Sequence, residues 1–396
     1  MKSPHLYRKN APAGLDRAVV ERAIQLSQAQ EAAGVAPVLT LNHLALQADV
    51  SLGLLEGVTA RVIDPYHLHE IRKRDRVSKR MIAAPTAELR QAQRWLLDNV
   101  FGRISVSPHA FAYVPGRSAP QGARQHVGSS WLLKLDVKDF FHEFDEAQVF
   151  ALLRSVHYTP LVSLEISRIV TRHVSTPQTW LPKKYTALSP RRLVSETDVM
   201  EVLLSSDGET TEYLAHPQGM RLGYLPQGSP SSGAISNLLS RHLDADLSAL
   251  AMANDMTYTR YADDITLSSS DSFHRDRAEK ILHEATAILH RNLLTPNRRK
   301  TRIVTPGRPL VVLGVRVDGD QSRLPRRVRD RIEFHLRGIE RFGFAAHSRH
   351  AGFDDVLGFG NFLYGLIRYA HDVQPSVAES YFARADASFP AAARDL

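Results

Sequence analysis

Between Trp131 and Lys138 the side chains alternate: Trp131, Leu133, Leu135 and Val137 are apolar, while Lys134, Asp136 and Lys138 are charged. A period of two marks a strand with one buried face. The pattern predicts a strand over 131–138 that carries Asp136 on the side away from the apolar face. Two further strand-like runs, Met256–Arg260 and Ile265–Ser268, flank Tyr261-Ala262-Asp263-Asp264. Short runs joined at turn-favouring residues read as a β-hairpin with the acids at its tip. Helical spacing governs other stretches. Asp16 to Ala33 places Val19, Val20, Ala23 and Ile24 on one stripe, and Arg275 to Leu289 does the same with Ile281, Leu282, Ala285 and Ile288. Asp145-Glu146-Ala147-Gln148 has the form of a capping box opening a helix through Leu153. Another helix is predicted from about Ser231 to Ser248. Leu41 to Leu55 predicts two short helices with Ala48-Asp49-Val50-Ser51 at the turn. Such a pair is a common packing unit, so it is read as a helical cap rather than a DNA-recognition element. Residues 175–220, rich in Pro, Ser, Thr and charge, read as an inserted loop with a hairpin.

Composition bounds the possibilities. At about 150 residues per domain, the 396 residues allow two or three domains, and 43% hydrophobic with 23% charged residues allows a large core. The absence of cysteine excludes disulfides and cysteine-ligated zinc, and is compatible with a reducing compartment. No apolar run is long enough to span a bilayer, so a soluble cytoplasmic protein without a membrane partner is expected. The net charge of +8 agrees with a nucleic-acid partner without specifying one. Of the 18 histidines, His126 and His142 lie near the motifs, but neither has metal-ligand spacing, and both are read as packing or surface residues. No phosphate loop of the Walker type is present.

Chemistry concentrates at three places. Asp263 and Asp264 are adjacent like charges, which a folded protein keeps if they are solvated or hold a cation. Asp136 adds a third carboxylate. Leu225-Pro226-Gln227-Gly228-Ser229-Pro230 is a turn-rich loop running into a helix. Backbone N–H groups at such a position suit phosphate or nucleotide contacts. Near the C-terminus, Arg326, Arg327, Arg329, Arg331, Arg337 and Arg341 surround the stripe Val328, Ile332, Leu336 and Ile339. That arrangement predicts an amphipathic helix whose basic side suits a phosphate backbone.

The aspartate strand, the Pro-Gln-Gly loop and Tyr-Ala-Asp-Asp, in this order, resemble the palm of a reverse transcriptase. Tyr66 to Phe101, with Ile71-Arg72-Lys73-Arg74 and Arg80-Met81-Ile82-Ala83-Ala84-Pro85, resembles the fingers of bacterial retron-type enzymes, as does Ala110-Phe111 through Gly116-Arg117-Ser118. Asn297, Lys300, Thr301 and Val312-Leu313-Gly314 match the last palm elements, so the likeness covers about residues 40–370. It implies an α+β right-hand polymerase fold. The expected divisions are an N-terminal helical region at 1–60, fingers at 61–130, a palm of antiparallel sheet and helices at 131–318, and a helical thumb with a tail at 319–396. Two departures stand out: no Asn-Ala-x-x-His element is found ahead of the Gln-Gly loop, and Val312-Leu313-Gly314 replaces Val-Thr-Gly.

The resemblance also implies roles. Asp136, Asp263 and Asp264, with the carbonyl of Val137, would hold two Mg2+ ions, with Mn2+ as a substitute. Asp139, which follows the strand end on the other face, is assigned a structural or turn role from that position rather than from the resemblance. Lys73 and Arg80 would meet the triphosphate, Gln227 the incoming nucleotide, and Tyr261 the primer end. Phe141 would close against the sugar 2′ position, leaving Phe140 as the core ring. Lys300 would either protonate the leaving pyrophosphate or support the fold. Arg326, Arg327, Arg331 and Arg337 would hold the template–primer backbone. The implied activity is RNA-directed DNA polymerisation that copies a bound noncoding RNA into single-stranded DNA in antiphage defence. Deoxynucleoside triphosphates, the RNA template and the DNA product are the implied partners, with an effector protein or a second copy of the chain as further ones. The alternatives are a defence polymerase making repetitive or untemplated DNA, an RNA polymerase, and a nonenzymatic nucleic-acid-binding regulator.

Overall fold

The computed structural model describes residues 4–9, 11–12, 14–72, 79–173, 222–271 and 274–388. Lys73, the expected insertion at about 175–220 and the tail from 389 lie outside the described residues. The chain forms two compact units built from interleaved segments. One comprises Met1–Tyr113, Val137–Ala245 and Leu289–Thr295; the other comprises Val114–Asp136, Asp246–Ile288 and Pro296–Leu396. The units therefore do not follow the boundaries expected at 60, 130 and 318, because strand pairing and helix packing join segments far apart in the chain.

Among the described residues the first unit is mainly helical, with an antiparallel hairpin of β1 (Tyr66–Arg72) and β2 (Lys79–Pro85). A short helix, Pro4–Lys9, precedes the longer Arg17–Ala32, which Asp16 caps by accepting from the Ala18 N–H. The helix pair is Leu41–Ala48 and Leu52–Thr59, capped by Thr40 and Ser51, with Asp49 left-handed (φ 53°) at the turn. Leu44, Ala45, Ala48, Leu55 and Val58 are buried, and the pair packs on the Ala87–Asn99 and Pro160–Val170 helices. Its apolar faces are thus turned into the core, as a packing pair requires. The helix Glu146–Ser155 opens with both bonds of a capping box between Asp145 and Gln148. The helix expected from about Ser231 to Ser248 is instead two, Ser232–Leu239 and Arg241–Met252, separated at Ser240.

A buried ionic network anchors this unit. Glu146 accepts from Arg61 Nη2 at 2.5 Å, from Arg168 Nε at 2.9 Å and from the Gly223 backbone N–H at 3.1 Å. Burial acts to raise its pKa, but the two guanidiniums outweigh burial and hold the carboxyl below its usual range. Arg172 pairs with Asp64 at 2.5 Å and exchanges backbone hydrogen bonds with Tyr224. Together these bonds tie down the segment leading into the Pro-Gln-Gly loop.

The second unit contains an antiparallel sheet ordered β4-β5-β3-β6, where β3 is Trp131–Asp136, β4 Thr257–Tyr261, β5 Asp264–Ser269 and β6 Arg302–Val304. The alternation in β3 predicts one buried face, yet all six residues are buried. The reason is tertiary: β3 has a neighbour on each side. On the nominally polar face, Leu132 joins a cluster with Leu310, Val312 and Val315, and Lys134 and Asp136 are engaged by ionic partners. The same apolar cluster includes Ile332, Leu336, Ile339, Phe359, Leu363 and Ile367 from the Arg326–Phe342 and Val356–Val373 helices. His126 is fully buried, with its ring nitrogens 2.7 Å from the hydroxyls of Ser268 and Thr259. Burial depresses its pKa to about 3, so a neutral imidazole ties β4 to β5 from behind.

Candidate active site

The acids are positioned by strand register. In β3 and β5, Asp136 and Asp264 are directly opposite partners, and in β4 and β5 Tyr261 is opposite Asp264. That leaves Ala262 and Asp263 as a two-residue loop. Ala262 adopts φ 54°, a conformation that costs a residue with a Cβ and persists where surrounding structure enforces it. The fully buried Arg260 donates to the Ala262 carbonyl at 3.4 Å and contributes to that enforcement. Register and turn therefore bring Asp136, Asp263 and Asp264 to one end of the sheet, although Asp136 lies far from the other two in sequence.

Two lysines and an asparagine contact these acids. Lys300 Nζ is 2.6 Å from Asp136 Oδ2, and Asn297 Nδ2 donates to Asp136 Oδ1 at 2.8 Å. The Asn297 backbone N–H donates to the Asp136 carbonyl at 2.7 Å. Lys134 lies 3.5 Å from Asp264 Oδ2. Burial and the charge of Asp136 push the Asp263 carboxyl above its ordinary pKa. Asp264 is also raised, by burial first, with Lys134 opposing the shift. The cluster thus holds more negative charge than its surroundings stabilise.

That excess bears on whether a cation fits. Among the described residues, no three acidic or histidine side chains are gathered closely enough to grip an ion as they stand. The donors are nevertheless carboxylate oxygens, which hard divalent cations prefer, and the lysine ammoniums sit where positive charge is called for. The residues fit a divalent cation on condition that Lys300 gives way at Asp136. Lys300→Met therefore has a definite expected outcome. Removing a positive charge a few ångströms away is worth about 1 kcal/mol even at the dielectric constant of water, so Mn2+ binding to the nucleotide-free protein is expected to tighten by about fivefold or more. Titration followed by the Mn2+ spin-resonance signal checks this; unchanged or weaker binding would contradict competition at Asp136.

The other expected site residues are placed as follows. Val137, next along the chain from Asp136, is buried. Asp139 is exposed and left-handed (φ 49°) at the start of the short Phe140–Glu143 helix, a turn position. Phe140 is buried, whereas Phe141 is only partly buried, with its ring 5.7 Å from that of Phe140. Gln227 is partly buried, and its carbonyl accepts from the Ala83 N–H at 2.7 Å. Gly228 has φ 125°, and a Cβ there would lie 2.6 Å from the Ala83 carbonyl oxygen, so glycine is required for the loop to lie against β2. Arg80 is exposed on β2.

Arg326, Arg327, Arg331 and Arg337 are all exposed on their helix, but three have intramolecular contacts. Arg326 pairs with Asp330 at 3.5 Å, Arg337 with Glu333 at 3.6 Å, and Arg331 lies 4.8 Å from the Phe362 ring centre. This surface is less uniformly basic than its arginines alone imply. Sequence reasoning missed Lys134 as a partner of the acids. Its signal was present, since it lies two residues before Asp136 on the same face of a strand. Asn297 appeared only as a family match, and nothing local announced its two bonds to Asp136.

Residues 71–317 match the family model described as "Reverse transcriptase (RNA-dependent DNA polymerase)". The chain is 30% identical to the retron Mx65 reverse transcriptase of Myxococcus xanthus over 84% of its own length and 69% of that protein. It is 29% identical to the retron Mx162 reverse transcriptase of the same organism, over 79% of its own length and 59% of that protein. Identity to the retron Ec86 reverse transcriptase of Escherichia coli is 25%, over 66% of each chain.

Proposed function

We propose, on the premise that this chain belongs to the reverse transcriptase (RNA-dependent DNA polymerase) family and is of its bacterial retron type, that it copies a bound noncoding RNA into single-stranded DNA in antiphage defence. The observation that carries the reading is the β3–β5 register, which sets Asp136 opposite Asp264 with Asp263 in the adjoining turn. In this reading Asp136, Asp263 and Asp264 hold two divalent cations. When bound, these activate the attacking hydroxyl and stabilise charge on the transferring phosphate. The protein's own groups do the rest. Asn297 fixes one oxygen of Asp136, and Lys300 and Lys134 balance the carboxylates until cations arrive. Gln227 contacts the incoming nucleotide, and Phe141 rejects a ribose 2′-hydroxyl by bulk. Arginines of the Arg326–Phe342 helix hold the duplex backbone as counter-charges to phosphate.

The direct test supplies the purified protein with its copurifying RNA, Mg2+ and labelled deoxynucleotides. Labelled DNA that depends on that RNA and on Mg2+ is expected; RNA-independent or ribonucleotide-only product would contradict the reading. Phe141→Ala is expected to raise ribonucleotide use relative to deoxynucleotide use by about tenfold or more, because lost bulk in an apolar pocket changes discrimination by about 1–3 kcal/mol. Incorporation of each nucleotide type on a primed RNA template measures it.

A further inference from the structure

Tyr113 holds a conformation that needs explaining. Its backbone lies in the left-handed region at φ 56°, rare for a bulky residue, and the residue as a whole is 54% exposed. Burial of the ring therefore does not offset the backbone cost. Strain of this kind persists where surrounding structure enforces it, and it concentrates at functional sites.

The structure shows what enforces it. The Ser232–Leu239 helix, which follows the Pro-Gln-Gly loop, holds the segment at two points one turn apart. Asn237, fully buried, donates from Nδ2 to the Ala112 carbonyl at 2.7 Å. Gly233 lies under the ring itself, where a Cβ would come within 2.4 Å of the Tyr113 ring. The ring is thus seated on the helix through a missing side chain. The ring also meets Phe141, with ring centres 5.8 Å apart and planes at 57°. Phe141 in turn meets the buried Phe140 edge-on. Tyr113 and Phe141 form one continuous aromatic wall, with Phe140 behind it.

We infer that Tyr113 is a second specificity-determining residue for nucleotide selection, making with Phe141 the surface that a nucleotide sugar meets, and that Gly233 and Asn237 position it. The inference rests on the reading of Phe141 as the group facing the sugar. The ring, not the hydroxyl, does the excluding.

The test measures ribonucleotide against deoxynucleotide incorporation by the full chain on a primed RNA template with Mg2+, with thermal midpoints recorded alongside. Tyr113→Ala is expected to raise relative ribonucleotide use by about tenfold, the scale on which an apolar pocket discriminates. Tyr113→Phe is expected to restore the discrimination. Gly233→Ala keeps the ring but pushes it aside, and is expected to weaken discrimination in the same direction. Because both changes act through one ring, Gly233→Ala combined with Tyr113→Ala is expected to be no worse than Tyr113→Ala alone. If Phe141→Ala shifts discrimination and neither Tyr113→Ala nor Gly233→Ala does, the inference fails while the reading of Phe141 stands. If Phe141→Ala leaves discrimination unchanged as well, both fail. Should Tyr113→Ala not fold, Gly233→Ala and Tyr113→Phe decide: normal discrimination in Gly233→Ala, or lost discrimination in Tyr113→Phe, overturns it.

Discussion

Asp263→Asn is expected to reduce deoxynucleotide incorporation by about a thousandfold or more while leaving the protein as stable as before or more so. The loss follows from the work assigned to the acids: cation-held charge stabilisation contributes several kcal/mol, and each ~1.4 kcal/mol is a factor of ten in rate. The unchanged or higher stability follows from the electrostatics. Burial and the neighbouring Asp136 raise the Asp263 carboxyl above its ordinary pKa. Its ionised form is therefore disfavoured in the folded, cation-free protein. A raised carboxyl favours folding at pH below the ordinary carboxylate range, and that contribution is lost as pH rises through the folded value. At neutral pH the neutral amide removes a repulsion. Activity and thermal midpoint should thus move in opposite directions, as incorporation assays and melting curves at neutral pH would show. Loss of activity with a fall in the midpoint would mean that Asp263 holds the fold instead. Retained activity would remove the acids from the chemistry.

Glu146→Gln is expected to cost about 3–5 kcal/mol of stability, because breaking a buried ion pair leaves uncompensated charge. Here the side chain serves Arg61, Arg168 and the Gly223 N–H together, and its carboxylate is almost entirely buried. The amide keeps the shape but loses the charge and cannot accept from all three donors through both ends. The pH dependence has a definite sign. The Glu146 pKa is held below its ordinary value, so its stabilisation is present above the ordinary carboxylate range and is lost as pH falls through the depressed value. Urea unfolding at neutral pH should show a lower midpoint for the variant, and the difference from the parent should shrink in acid. A shift of under about 0.5 kcal/mol, the range of an ordinary surface substitution, would show that the network is not a stability determinant.

Much of the local architecture was legible before any coordinates. The capping box at Asp145 and Gln148, the helix at Arg275–Arg291 and the hairpin around Ala262-Asp263 all follow from residues within a few positions of one another. Phe140 is buried and Phe141 only partly buried. The β3 alternation misled because period two reports the two faces of an isolated strand. It cannot tell that Leu132 will join an apolar cluster with Leu310 and Val312 on the supposedly polar side. The helix expected through Ser248 breaks at Ser240. Apolar spacing continued across that point and carried no mark of the break.

The sequence by itself determined the chemical identity of the acids, the periods of the strands and helices, and the caps, because each depends on neighbours along the chain. Only the tertiary structure decided which cation answers which carboxylate. Lys300 reaches Asp136 across 164 positions, and Lys134 reaches Asp264 across 130. It also decided that Tyr113 stands on Gly233 beside Phe141. Electrostatic pairing and ring packing act over a few ångströms of space regardless of separation along the chain, so they come into being only when the fold brings those atoms together.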